Sequence, residues 1–159
     1  GVVHGLSLQL EPDVVRQLEA EASVRGFLVV RGQNITPDGL LGFSKLLGGR
    51  SVVGRHTVHR QAVHDDILRV SNLAEHGITE VGPQWHSDGA FERAVFSHVV
   101  FHPQQMPPSG GGGTEISHLG LAFDSLPAEV QSAWSRLATV NAYSGAVHPL
   151  VHRHPVSGR

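Results

Sequence analysis

Trp85-His86-Ser87-Asp88 is the stretch of this sequence whose residue types and spacing best suit chemistry. A His and an Asp two apart on an extended segment project to the same side, because side chains alternate along a strand, so both can reach one metal ion. They would supply two of the three protein ligands of a 2-His-1-carboxylate facial triad. That ligand set leaves three positions open, which suits an Fe(II) centre that must take a bidentate cosubstrate and O2 together. The same pair with a nearby His would also serve zinc or another metal in a hydrolase, although no His-Glu-x-x-His or comparable hydrolase motif is present.

Composition narrows the choices. With no Cys there is neither a thiolate metal site nor a disulfide framework, so a metal must be held by His and carboxylate, and 12 His make that feasible. A formal net charge of -2 gives no electrostatic reason to expect nucleic acid or an anionic membrane, which leaves a small-molecule substrate as the expected partner. No stretch approaches the roughly 20 apolar residues of a membrane span, and the start lacks a basic, then apolar, leader pattern; a soluble, intracellular protein is expected. The four glycines 110–113 are not a phosphate loop, because Thr114-Glu115-Ile116 follows where Lys-Ser/Thr opening a helix would be needed. Their plain reading is a flexible connector.

The elements that must position these residues follow from periodicity. At 159 residues, with 19 Gly and 9 Pro, the chain fits one β-rich domain spanning 1–159 with many turns. Pro12 in a first-turn position, then Val14, Val15, Leu18 and Ala22, predict an amphipathic helix over 12–23 that Gly26 ends. Residues 27–30 read as a buried strand, and Thr36-Pro37 caps a second helix through Leu47 that stops at Gly48-Gly49. Residues 67–71 and 96–101 read as strands, 127–137 as another amphipathic helix, and 147–151 as the start of an extended segment. Trp134 and Phe123 are read as core; His59, His64, His76, His98, His102 and His118 as surface or packing residues.

Several ordered motifs resemble one family. Gly26-Phe27-Leu28-Val29-Val30-Arg31-Gly32-Gln33, with Ile35-Thr36-Pro37, looks like the opening strand and helix of the TauD/TfdA non-haem dioxygenases. Trp85-His86-Ser87-Asp88-Gly89-Ala90-Phe91 is similar to the signature that holds their first two metal ligands. Gly111-Gly112-Gly113-Thr114 is similar to their Gly-Gly-x-Thr at the expected interval. Ala122-Phe123-Asp124-Ser125-Leu126-Pro127 and the stretch from His148-Pro149 through His154-Pro155-Val156-Ser157-Gly158-Arg159 follow the same pattern. The resemblance covers essentially the whole chain. It implies an α+β fold with a double-stranded β-helix (jelly roll, cupin-like) core and flanking helices, incomplete at the C-terminus, with Fe(II) as metal and 2-oxoglutarate as cosubstrate. His86 and Asp88 would bind the iron, and the Thr114 hydroxyl would hydrogen-bond the distal carboxylate of 2-oxoglutarate. His56 and Asn72 fall where relatives line the substrate pocket.

The sequence also departs from that pattern. In complete members a second metal-binding His and an Arg pairing with the 2-oxoglutarate carboxylate follow the motif on which this sequence stops. Without them the iron site has two protein ligands, and the cosubstrate lacks its charge-assisted anchor. His152 and His154, two apart, could share a face and stand in, but His154-Pro155 already matches a structural motif of the family. The sequence starts without Met, and the reading is of an N-terminal portion of the domain. Strands missing from the barrel would leave unpaired edges, to be covered by a second copy or a partner chain. Two functions are therefore expected: a dioxygenase hydroxylating a small organic substrate, or an inactive remnant of the fold serving as a structural or interaction subunit. Sulfonates, aryloxyalkanoates, amino acids, carnitine precursors and alkyl sulfates are all handled by relatives, so the substrate is open.

Overall fold

The computed structural model describes residues 1–7, 11–47 and 58–159, which form two compact units. One unit comprises Val2–Glu19 and Val29–Ser87; the other comprises Gly1, Ala20–Leu28 and Asp88–Arg159.

In the first unit, β1 (Val2–Val3) pairs in parallel with β2 (Val29–Val30), Val2 opposite Val29 and Val3 opposite Val30. Parallel neighbours require a crossover, and here α1 (Pro12–Arg25), whose residues from Ala20 on belong to the other unit, lies in the connection. Pro12 opens α1 where a missing N–H costs nothing, and Asp13 in the first turn and Arg25 in the last complement the helix dipole. The helix ends at Gly26, whose φ of +81° is accessible without strain because glycine has no Cβ, and whose N–H donates to the Ala22 carbonyl at 2.8 Å. Helix α2 (Pro37–Leu46) is set by Thr36, whose hydroxyl accepts from the Gly39 N–H at 3.1 Å, with Pro37 in the first turn. Gly48-Gly49, expected to stop it, lies outside the described residues. Val15 and Leu18 of α1 and Phe43 of α2 are the buried apolar residues of this unit among those described.

In the second unit, α3 (Leu119–Asp124) and α4 (Ala128–Trp134) precede an antiparallel pair, β3 (Ala138–Val140) with β4 (Val147–Pro149). The register sets Ala138 opposite Pro149, Thr139 opposite His148 and Val140 opposite Val147. Asn141 fixes the connecting turn: its Oδ1 accepts from the backbone N–H groups of Tyr143 and Ser144 at 3.1 and 3.0 Å, and Gly145 adopts φ +68°. Ala146, at the end of that connection, is buried. The Arg159 guanidinium pairs with Asp124 at the end of α3 at 3.2 Å.

Two predicted strands do not form ladders. Of residues 67–71, Val70 alone makes a bridge, parallel to Ile78, and 96–101 stay outside any strand among the described residues. Residues 96–100 nevertheless alternate half-buried and exposed, the face pattern of a strand without its hydrogen-bonding neighbour. The described strands pair two by two, so no jelly roll, which takes about eight strands, is assembled among them. Two-stranded sheets bury little, which is why Val140 and Val147 are 66 % and 60 % exposed and why Trp134, expected in the core, is 41 % exposed. No described helix is long and apolar enough to cross a membrane.

Candidate metal site

The boundary between the two units falls between Ser87 and Asp88, so each expected ligand is described within its own unit. His86 lies exposed on an irregular stretch after Gly82-Pro83. Its Nδ1 is 2.6 Å from the carbonyl oxygen of Gln84. A carbonyl only accepts, so Nδ1 carries a proton, and in the neutral ring the lone pair is then on Nε2. This is the arrangement by which metal-binding histidines are oriented, one ring N–H fixed by a backbone carbonyl while the other nitrogen ligates.

Asp88, an exposed residue, opens a turn in the second unit. Buried Gly89 follows at φ +77°, and the Glu92 N–H returns to the Gly89 carbonyl at 2.9 Å. Beside this turn the rings of Phe91 and Phe96 meet edge to face with centroids 6.2 Å apart. A Cβ on residue 89 would sit 2.8 Å from Phe96 Cδ2 and 3.0 Å from the Phe96 nitrogen, so only glycine fits here. Phe91 and Gly89 thus explain the residues that follow the acidic ligand in the signature.

An imidazole and a carboxylate are the donor types of which an Fe(II) facial triad is made. Among the described residues no group of three or more His, Cys, Asp or Glu gathers to hold a metal. His154 is committed elsewhere: its Nδ1 accepts from the Val156 and Ser157 N–H groups at 3.3 and 3.1 Å, the structural use expected of His154-Pro155. His152 is exposed, Thr114 is exposed at the end of the glycine stretch, and Asn72 is exposed in a bend. His56 lies outside the described residues. Other histidines take local roles: His64 Nε2 meets Asp38 at 2.8 Å, His59 Nε2 donates to the Ala74 carbonyl at 3.1 Å, and His118 caps α3 by accepting from the Leu121 N–H at 3.2 Å.

Sequence reasoning missed the Gln84 carbonyl and the bracing role of Gly89, which entered only as part of the signature. The first acts through its backbone, which no residue type announces. The second carries a signal, a glycine directly after an acidic ligand.

Residues 4–159 match the family described as "Taurine catabolism dioxygenase TauD, TfdA family". Among curated proteins, the chain is 34 % identical over 142 residues to "Alpha-ketoglutarate-dependent 2,4-dichlorophenoxyacetate dioxygenase" of Burkholderia sp. (strain RASC), covering 80 % of this chain and 48 % of that protein. It is 29 % identical over 178 aligned positions to the protein of the same name from Cupriavidus pinatubonensis, covering 91 % and 62 %. It is 30 % identical over 111 residues to "Pentalenolactone F synthase" of Streptomyces avermitilis, covering 65 % and 36 %. The chain therefore spans from about a third to under two thirds of the length of these relatives. No solved structure matches it.

Proposed function

Because the chain belongs to the TauD/TfdA family, we propose that it is the portion of an Fe(II)- and 2-oxoglutarate-dependent dioxygenase that carries the first two iron ligands, in an enzyme hydroxylating a small organic substrate. The observation that carries this reading is His86, inside the family match, with its Nδ1–H turned to the Gln84 carbonyl at 2.6 Å so that Nε2 is the basic nitrogen.

In this reading His86 Nε2 and the Asp88 carboxylate hold the iron, and the Thr114 hydroxyl donates to the distal carboxylate of 2-oxoglutarate. His56 and Asn72 line the substrate pocket. When bound, the iron supplies O2 activation coupled to conversion of 2-oxoglutarate to succinate and CO2. The protein's part is to orient His86 through Gln84, to present Asp88 from the turn braced by Gly89, and to position cosubstrate and substrate. No residue of this sequence is assigned as third ligand or as the cosubstrate Arg. The residues belong, in this reading, to part of a double-stranded β-helix. Two relatives are named for 2,4-dichlorophenoxyacetate, which makes an aryloxyacetate the first substrate to assay.

The test is 2-oxoglutarate-dependent succinate formation by the intact protein with a panel of aryloxyacetates, other small carboxylates and sulfonates. Substrate-dependent succinate, lost in His86→Ala, supports the reading; succinate formation unchanged in His86→Ala overturns it.

A second reading is favoured by Val140 and Val147, which face each other across β3 and β4 yet are largely exposed. It makes the chain an inactive subunit of the same fold, whose apolar surface a second copy or partner chain covers. Purified protein that binds no iron and sediments as a larger assembly would favour it.

A further inference from the structure

We propose that Gly82 is a positioning residue for the metal: its missing side chain provides the space in which the His86 ring is held as a ligand. The proposal rests on the assignment of His86 as an iron ligand and deepens it.

Gly82 and His86 lie in the same unit, four residues apart. A Cβ built on residue 82 would fall 2.6 Å from His86 Cε1, 3.2 Å from Nε2 and 3.6 Å from Nδ1. The atoms it would strike belong to the edge of the ring between the two nitrogens, so the ring must move to make room. A swing of the ring breaks the 2.6 Å bond from Nδ1–H to the Gln84 carbonyl and re-aims Nε2. The backbone makes the same demand, since Gly82 adopts φ +62°, where an L side chain is disfavoured. Pro83 follows and restricts residue 82 further, because the residue before proline is driven out of the helical region. The backbone at residue 82 therefore passes close to the imidazole, and only glycine lets it come that close.

The two requirements separate by substitution. Gly82→Ala violates both the φ and the space. Gly82→Asn restores tolerance of positive φ, which Asn adopts more readily than other residues, but still places a Cβ against the ring. If the Ala variant fails to fold, the Asn variant carries the test.

Two readouts on the intact protein decide it. The first is the imidazole tautomer of His86 in the metal-free protein, read from 15N-resolved ring spectra; wild type shows the Nδ1–H form, and both variants lose it or mix it with the other. The second is Co(II) affinity, with Co(II) alone as the probe; loss of an orienting contact raises the dissociation constant about 10- to 100-fold. In a His86→Ala background the same glycine substitutions change Co(II) binding no further. A variant that keeps the tautomer and the Co(II) affinity overturns the proposal, as does one whose affinity falls equally in the His86→Ala background, since that effect does not pass through the ring. If wild type and His86→Ala bind Co(II) alike while the tautomer still depends on residue 82, the metal assignment itself fails and the proposal falls with it.

Discussion

Gly89→Ala separates crowding from backbone strain at the residue after Asp88. Gly89 adopts φ +77°, and an alanine there costs about 1–2 kcal/mol for the left-handed backbone alone. Its Cβ would also lie 2.8 Å from Phe96 Cδ2, 2.9 Å from Cγ and 3.0 Å from the Phe96 backbone nitrogen. The phenyl ring can tilt, at the expense of its edge-to-face contact with Phe91, but the backbone nitrogen cannot move without opening the turn. Overpacking of this kind costs about 1–3 kcal/mol more. Gly110 is the internal control: its φ is +81°, and a Cβ there meets nothing within 4 Å. Gly110→Ala therefore carries the backbone cost alone, and the difference between the two variants isolates the packing term. Urea unfolding followed by circular dichroism measures both, and Gly89→Ala is expected to lose about 1–3 kcal/mol more than Gly110→Ala. Equal losses would refute the claim that Phe96 braces the turn presenting Asp88.

Three further outcomes are expected. Thr36→Ala removes the hydroxyl that accepts from the Gly39 N–H and lowers stability by about 0.5–2 kcal/mol in thermal melts, with Ser restoring most of it. Phe43→Ala, at a position only 6 % exposed, costs about 3–5 kcal/mol in chemical denaturation, the largest single loss in its unit. Asp124→Asn breaks an ion pair with Arg159 whose side chains are about half exposed, so its unfolding free energy should fall by no more than about 1 kcal/mol, and less at high salt.

The helices were the most legible part of the fold, because their signals are local. Thr36 and Pro37 announce α2 through a hydroxyl and a missing N–H acting within one turn, and Pro12 and Gly26 do the same for α1. Helix α4 is shorter than the 127–137 expected, since Leu137 leaves the helical run to accept from the Leu150 N–H at 2.9 Å beside β3 and β4. Helix α3 was not read at all: six residues are too few to show a period, and its cap is His118, a residue type with no capping signature. Strands were the least legible, because alternation reveals a face and not a neighbour. Residues 96–100 keep that alternation without a ladder, and β1 was missed because two valines near the chain start carry no period. At the site, His86 and Asp88 stood out by type and spacing. What orients them did not, since the Gln84 carbonyl belongs to the backbone and Gly82 and Gly89 act through atoms they lack.

Metal loading decides the functional reading. Fe(II) and 2-oxoglutarate are added anaerobically to the intact protein, to His86→Ala and to Asp88→Ala, and the visible charge-transfer absorption of the iron–cosubstrate complex is recorded. The band is expected in wild type at one iron per chain and absent from both variants. An unchanged band in either variant, or none in wild type, would contradict the assignment of His86 and Asp88 as the iron ligands.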